Sequence, residues 1–266
     1  MKIMKGIVCY YSSTGNTRLA CEYLVRHIKG PVFEMFDITR GGNIDLEGYD
    51  VVGFATSTDF FDPPIIVKSF VDGLPQFAGK PAFVFNTYGA ISGRTLATLG
   101  KWVGSKGFKV IAGHSLHTPE NYPPLVAKGF KHERAPNKRG LSNFSDFIAG
   151  LNDLLMSGEN FEDAKIKIGI FNSLMPVFPR TKAKNEMGEK HVDEALCDEC
   201  GICAKNCPYR SIELDPKPVF DLGKCCGCWN CFNHCPKKAI YTKTLRGRGH
   251  YPRPAKIFQE KMELLK

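Results

Sequence analysis

Apolar runs recur along the first half of the chain and predict the strands of a parallel sheet. The first run, KGIVCYY (5–11), is apolar almost throughout, which is typical of a strand buried on both faces. Helical patterns separate it from the later runs, and this alternation favours a doubly wound α/β fold. The later predicted strands are PVFEMF (31–36), DVVGFAT (50–56), KPAFVFNT (80–87) and FKVIAG (108–113).

The segments between these strands carry apolar residues at helical spacing. After the first strand, Leu19, Tyr23 and Leu24 predict a helix that stops at the Gly-Pro pair of 30–31. Further helices are predicted at 63–72, 93–106, 142–156 and 257–265.

The cysteines divide the chain into two unequal parts. Nine of the eleven lie between Cys197 and Cys235. In a reducing cytosol, so dense a group indicates metal binding rather than disulfides. The predicted divisions are a sheet domain (1–157), a linker (158–189), a metal domain (190–243) and a basic C-terminal tail (244–266). The apolar middle of the linker, IGIFNSLMPVF, is expected to pack the metal domain onto the sheet.

The spacing of eight cysteines is an internal repeat. Each half reads C-x2-C-x2-C-x3-C-P, and the second begins twenty-eight residues after the first. This spacing is typical of [4Fe–4S] ligation, because three cysteines wrap a tight loop around three corners of a cubane. Zinc is the alternative, but structural zinc sites use pairs of C-x2-C separated by longer loops.

The fourth cysteine of each half precedes a proline and leads away from its own loop to ligate the other cluster. Crossed ligation predicts two sets, called below the cluster-one and cluster-two cysteines. The cluster-one cysteines are Cys197, Cys200, Cys203 and Cys235; the cluster-two cysteines are Cys225, Cys228, Cys231 and Cys207. Cys226 falls outside the pattern and is interpreted as a packing residue, with a redox-active thiol as the alternative.

The turn after the first strand carries a candidate phosphate site. Hydroxyl and amide side chains surround a glycine at the start of the predicted helix, where backbone N–H groups and the helix dipole favour an anion. The turn has no lysine, so it is not a nucleotide-hydrolase loop; plain helix capping is the alternative. Its residues are Ser12, Ser13, Thr14, Gly15, Asn16 and Thr17.

These patterns resemble known families. YSSTGNT (11–17) resembles the phosphate loop of flavodoxins, S/T-x-T-G-x-T, and 190–243 resembles bacterial-type ferredoxins with two [4Fe–4S] clusters. Nearly the whole chain resembles the flavodoxin–ferredoxin fusion proteins found mainly in anaerobes. The resemblance implies a flavodoxin-like doubly wound five-stranded parallel sheet, a small α+β ferredoxin-like domain, FMN and two [4Fe–4S] clusters, and a function in electron transfer.

The resemblance also implies which loops hold the flavin ring. They are STDFFDPP (57–64) and NTYGAISG (86–93), with a P-x-N-Y element at 119–122 covering the site. One of Phe60 and Phe61 is expected to be a core residue instead, and Asp59 and Asp62 are expected to flank the ring. The implied ring contacts are Ser57, Thr58, Phe60, Asn86, Thr87, Tyr88, Gly89, Asn121 and Tyr122.

Three functions compete at this point. The first is an electron relay between clusters and FMN, and the second is a flavin-dependent reductase with Tyr88, His117 and Tyr122 as candidate catalytic residues. The third, nucleic-acid binding through the basic segment 237–256, is not expected, because aromatic residues are sparse there. That segment has seven Lys and Arg and no acid, and it predicts docking of an acidic redox protein.

Composition places the chain among ordinary globular proteins. Its formal charge of +9 would fall if two anionic clusters and a phosphate were bound. No apolar run approaches the ~18 residues of a membrane helix, and the N-terminus reads as a core strand rather than a signal peptide. These features predict a cytoplasmic protein that does not contact a membrane, and a homodimer is compatible with them.

Overall fold

The computed structural model describes residues 4–41, 44–158, 161–166, 168–179 and 181–264. In this part of the chain, five parallel strands form one sheet with the order β2-β1-β3-β4-β5. This is the flavodoxin-like strand order, so the predicted fold class is confirmed. The strands are β1 (Lys5–Tyr10), β2 (Val32–Asp37), β3 (Val51–Ser57), β4 (Pro81–Tyr88) and β5 (Lys109–His117).

Helices cover both faces of the sheet. They are α1 (Asn16–His27), α2 (Ile65–Asp72), α3 (Thr95–Gly104) and α5 (Lys138–Ser157). The short helix α4 (Pro123–Ala127) instead packs Ala127 against the core of the second, cysteine-rich unit. Side chains alternate across each strand, so Val8 and Tyr10 join the core under α1 and α5, while Ile7 and Cys9 join the core under α2 and α3. Burial on both faces explains why the central strands β1, β3 and β4 read as apolar runs, whereas the edge strand β2 is only partly buried and carries Glu34.

The second unit is small and is built around the repeated cysteines. Its antiparallel ribbons pair β6 (Lys190–Val192) with β9 (Ile240–Thr242), and β7 (Ile212–Asp215) with β8 (Lys217–Phe220). Its core contains Phe232, which is fully buried. The remaining helices are α6 (Ile170–Ser173), α7 (Lys182–Met187), α8 (Ile202–Lys205), α9 (Asn230–His234) and α10 (Lys256–Leu264).

The last strand and the linker differ in part from the expectations. Strand β5 continues through His117, because 114–117 pairs with β4 instead of forming a loop. The apolar middle of the linker packs only in part: Ile170, Phe171 and Leu174 are 80%, 62% and 74% exposed, whereas Ile168 and Phe178 contact residues of the sheet unit. The two units dock through Tyr122, whose ring lies 6.1 Å from that of Trp229, and through polar contacts of α9 and of the segment that follows β9.

The C-terminal segment crosses back to the sheet. Helix α10 packs against α1, and its Phe258 and Met262 are buried in the core that α1 and α5 share. The Arg26 guanidinium also donates a hydrogen bond to the Met262 carbonyl (2.9 Å). Helix α10 therefore belongs to the sheet unit, whereas Leu245, earlier in the same segment, is buried in the core of the second unit. No helix among the described residues is long and apolar enough to cross a bilayer.

Candidate functional site

The predicted phosphate loop is a run of free backbone donors. In the described part of the chain, no oxygen accepts a hydrogen bond from the N–H groups of residues 13–17. Gly15 is the N-cap residue of α1, with φ of 96°, and it has no side chain that could cap the helix. Five consecutive unpaired N–H groups at a helix N-terminus provide a site for an anion, so the loop fits a bound phosphate.

The side chains of this loop hold it in shape. Thr14 Oγ1 accepts a hydrogen bond from Asn121 Nδ2 (2.7 Å), and the hydroxyls of Thr17 and Thr87 lie 2.8 Å apart. Ser12 Oγ accepts from the Arg18 N–H, and Ser13 Oγ donates to Asn230 Oδ1. Ser12 and Thr14 only accept in these contacts, so their O–H groups remain available as donors beside the backbone N–H groups.

A cavity opens beside the loop and is called here the central cavity. The phosphate loop, the ends of β3 and β4, and the segment 118–125 form its walls on the sheet side. The opposite wall comes from the second unit, through Gly227, Cys228, Trp229 and Asn233. Of the predicted FMN contacts, all line this cavity except Gly15 and Asn86.

Asn86 lies behind the residues that line the central cavity. It is fully buried, and its amide donates to Thr58 Oγ1 (3.0 Å) and Ser92 Oγ (3.1 Å) and accepts from Ser115 Oγ. Because every polar atom of the amide has a protein partner, Asn86 ties the loop after β3 to the loop after β4. The sequence predicts that Asn86 contacts the flavin ring; in the structure it does not line the cavity but positions the loops that do.

A strained turn presents Phe60 to the cavity. Asp59 and Asp62 close the turn with two backbone hydrogen bonds, and Phe60 and Phe61 between them have φ of 46° and 71°. Left-handed backbone costs roughly 1–2 kcal/mol at a non-glycine residue. Strain of this kind concentrates at functional sites, and here it directs two aromatic rings toward the cavity.

The two rings differ in their surroundings. The Phe60 ring meets Tyr122 edge-on, with centroids 5.6 Å apart, across the cavity wall. The Phe61 ring packs on Phe178 at 5.6 Å, and its backbone lies so close to Gly93 that a Cβ there would come within 2.5 Å of it. Phe61 is therefore the more firmly anchored ring, but both rings line the cavity and neither is a buried core residue, so the expectation that one of them belongs to the core is not met.

The three candidate catalytic residues are only partly brought together. Tyr88 and Tyr122 line the cavity, but His117 stacks behind Tyr88, with ring centroids 5.2 Å apart, and does not line it. Burial, and then the neighbouring His132, lower the pKa of His117. The Tyr122 hydroxyl donates to Glu186 (2.9 Å) on α7, and burial raises its pKa. His117 therefore could not exchange a proton directly with a molecule bound in the central cavity.

Sequence reasoning missed Glu120. This carboxylate is 6% exposed and accepts hydrogen bonds from the N–H groups of Ala90, Asn121 and Tyr122. A Cβ on residue 89 would lie only 2.5 Å from Glu120 Oε2. Because hydrogen bonds hold this carboxylate in place, position 89 requires glycine. Glu120 joins two cavity walls, and the only sequence signal was its place beside the Asn-Tyr pair of 121–122.

The cluster-one cysteines surround a second, narrower cavity. Cys197, Cys200, Cys203 and Cys235 all line it, together with apolar side chains from β7, β8 and β9. Burial raises the pKa of Cys203 to about 11, and the Cys235 and Cys200 thiols act in the same direction. The Cys235 sulfur accepts a hydrogen bond from the Ala239 N–H (3.2 Å). The structure thus places Cys235, from the second half of the repeat, with three cysteines of the first half.

Cys207 lies with the other set. Burial raises the pKa of Cys228, and the thiols of Cys231, Cys207 and Cys225 add to that effect. The Cys207 sulfur accepts from the Ser211 N–H (3.4 Å), as Cys225 does from the Gly227 N–H. Donors of this kind stabilise thiolates bound to iron. The arrangement fits crossed ligation, which stays a prediction.

The described cysteines do not form a mononuclear site. No group of three or more Cys, His, Asp or Glu side chains in the described ranges is arranged to hold a single metal ion. Cys226 is half-buried, and its thiol contacts the Lys224 carbonyl at 3.8 Å.

Comparisons with known proteins found a family match within the second unit. The family of 4Fe–4S binding domains matches residues 190–213. A ferredoxin from Pyrobaculum islandicum is 39% identical over 51 residues, which are 18% of this chain and 48% of that ferredoxin. The chain therefore spans about half the length of this curated relative.

Solved structures similar to the chain match its sheet unit. An archaeal flavodoxin is 18% identical with a TM-score of 0.43, and the match covers 57% of this chain and 99% of the flavodoxin chain. A flavoprotein in complex with FMN from Lactobacillus acidophilus is 19% identical with a TM-score of 0.35, over 42% of this chain and 93% of its own. The strand order itself defines the fold. The chain joins a flavodoxin-like sheet to a ferredoxin-type 4Fe–4S segment, and this combination supports a redox role.

Proposed function

We propose that this chain is an electron-transfer protein that carries FMN in the central cavity and two [4Fe–4S] clusters in the second unit, and that it relays single electrons between them. One observation carries the proposal. Cys228 is a cluster-two cysteine, and it also lines the central cavity beside the phosphate loop and Tyr88. A cluster held by Cys228 would border the flavin, so electrons could pass without a diffusional encounter.

The chain's own residues supply binding and orientation. The N–H groups of 13–17 would hold the FMN phosphate, and Phe60 and Tyr88, which line the cavity, would contact the ring. His234 Nε2 and the Ser13 carbonyl lie 2.8 Å apart, and Asn233 Nδ2 donates to the Asn121 carbonyl (3.2 Å). These contacts fix α9, and with it the cluster-two loop, against the flavin loops. FMN and the clusters supply the one-electron chemistry when bound.

Reconstitution tests the composition. Anaerobic loading of the full chain with iron, sulfide and FMN should give about eight irons and about one FMN per chain. A preparation that takes up zinc and no flavin would contradict the proposal.

Kinetics test the relay. A pulse of a one-electron donor should first reduce one cofactor, and the electron should then move to the other. The absorbance changes of the clusters and the flavin that report this transfer should have a rate that does not depend on protein concentration. A rate that rises in proportion to concentration would mean that electrons move between molecules, and it would overturn the relay.

We also propose an acidic redox protein as partner. Three cations of the segment 237–256 already pair with acids: Lys237 with Asp198, Arg246 with Asp193, and Lys256 with Glu260. Four exposed ones have no carboxylate partner in the described part of the chain: Lys238, Lys243, Arg248 and Arg253. Association that weakens as salt is raised would support steering by these charges.

A further inference from the structure

Lys190 is a buried cation whose hydrogen-bond partner is a cluster-two cysteine. It is 6% exposed, and Nζ lies 2.8 Å from Cys225 Sγ. The Phe220 ring covers the ammonium from another side, with its centroid 5.2 Å from Nζ. Among the described residues, no carboxylate lies within salt-bridge distance of Nζ. A buried charge is costly unless an opposite charge compensates it.

The anion that compensates Lys190 would be the cluster itself. A [4Fe–4S] cluster with four thiolate ligands carries net negative charge, and each added electron increases that charge by one. An ammonium in contact with a ligand sulfur therefore stabilises the reduced cluster more than the oxidised one. Burial limits screening by water and salt, so the effect is larger than that of a surface charge.

Cluster one has the opposite surroundings. Two acids, Asp198 and Glu199, line its cavity, and Cys200 is exposed. Lys237, which lines this cavity, has a side chain that is 54% exposed and pairs with Asp198 at 3.7 Å. This cation is both screened by water and partly neutralised.

We propose that Lys190 holds the reduction potential of cluster two above that of cluster one, so that electrons entering at cluster one move toward the central cavity. This inference rests on the proposed function. Each transfer moves one electron: cluster one is oxidised as cluster two is reduced, no bond forms or breaks, and an external one-electron donor re-reduces cluster one. The exposed edge at Cys200 is where that donor would act.

Charge variants test the role of Lys190. Lys190→Met removes the charge but keeps most of the side-chain length, and Lys190→Arg keeps the charge. In anaerobic redox titrations followed by electron paramagnetic resonance, Lys190→Met should shift one of the two cluster couples to lower potential and leave the other in place. Lys190→Arg should stay close to the wild-type chain, and the exposed control Lys237→Met should give a smaller shift. Unchanged couples in Lys190→Met, or an equal shift of both, would overturn the inference.

Single-cluster chains test the order of the potentials without altering Lys190. Cys235→Ser should retain cluster two, and Cys207→Ser should retain cluster one. The potential of the cluster that remains should be higher in Cys235→Ser; the reverse order would overturn the inference even if Lys190→Met failed to fold. Iron and FMN contents of the same wild-type preparation separate the two proposals. If the wild-type chain holds about eight irons and one FMN but the expected differences in potential are not found, only this inference is overturned. If the wild-type chain does not hold two clusters, the proposed function itself is overturned.

Discussion

The Tyr251 hydroxyl donates a hydrogen bond to Asn16 Oδ1 at 2.9 Å and joins the C-terminal segment to the phosphate loop across 235 residues of sequence. The same hydroxyl accepts from the Ala255 N–H (2.8 Å). The Asn16 amide in turn donates to the Pro119 carbonyl (2.9 Å). Three distant segments therefore set the shape of the loop that would hold the FMN phosphate.

Removing this hydroxyl should weaken both the fold and FMN binding. Tyr251→Phe leaves Asn16 Oδ1 and the Ala255 N–H without their partner in a buried site, which costs about 1–3 kcal/mol. We expect a lower unfolding midpoint in urea and an FMN dissociation constant raised up to about tenfold. Tyr241→Phe is the matched control, because the Tyr241 hydroxyl has no hydrogen-bond partner among the described residues. Equal effects of the two variants would mean that the Asn16 contact is unimportant.

Gly15 should tolerate no side chain. Its φ of 96° costs an alanine roughly 1–2 kcal/mol, and a Cβ there would lie 2.9 Å from Pro254 Cδ. Gly30 has nearly the same φ, 93°, with nothing within 4 Å of a Cβ. Gly15→Ala should therefore lose FMN affinity, measured by quenching of flavin fluorescence, whereas Gly30→Ala should lose only stability. If both variants bind FMN alike, the close approach of Pro254 to the loop has no functional consequence.

Local patterns predicted the sheet because its strands are buried on both faces and read as continuous apolar runs. The same reasoning located the SSTGNT loop and the eight cysteines, since fixed short spacings carry their chemistry. It could not place Tyr251 on Asn16 or Cys228 in the central cavity, because such contacts depend on how two units pack. It also failed for Ile170 and Phe171, where an apolar run has no matching buried surface. The turn at Phe60 and Phe61 gave no signal, because aromatic residues rarely take positive φ.

His114 should make the sheet unit sensitive to acid. Burial lowers its pKa to about 4, and Nε2 has no hydrogen-bond partner. Its ring stacks nearly parallel to those of Phe144 and Phe147. Between about pH 6.5 and 4 the unfolded chain binds a proton that the folded chain does not, so stability is full above pH 6.5 and falls as the pH drops through this window.

A phenyl ring at this position should remove that dependence. His114→Phe should be more stable than the wild-type chain, and its advantage should grow below pH 6.5 by up to about 1.4 kcal/mol per pH unit. Anaerobic urea unfolding followed by circular dichroism between pH 5 and 8 measures the difference. Measurements at pH 7.5–8, where neither state binds the proton, provide the reference. Parallel curves for the two chains would show that His114 titrates alike in both states.

Crossed ligation can be tested by counting irons in paired variants. If Cys207 and Cys225 bind the same cluster, losing both residues removes one cluster and leaves about four irons per chain. If each half of the repeat binds its own cluster instead, the same double variant, Cys207→Ser with Cys225→Ser, disrupts both clusters and leaves almost none. The converse pair, Cys207→Ser with Cys197→Ser, should leave almost none under crossed ligation and about four irons otherwise. Each hypothesis predicts about four irons for one double variant and almost none for the other, in opposite order. General instability would lower the iron content of both variants, so it cannot produce either pattern. Cys226→Ser should retain about eight irons, since its thiol contacts the Lys224 carbonyl and lies outside both sets.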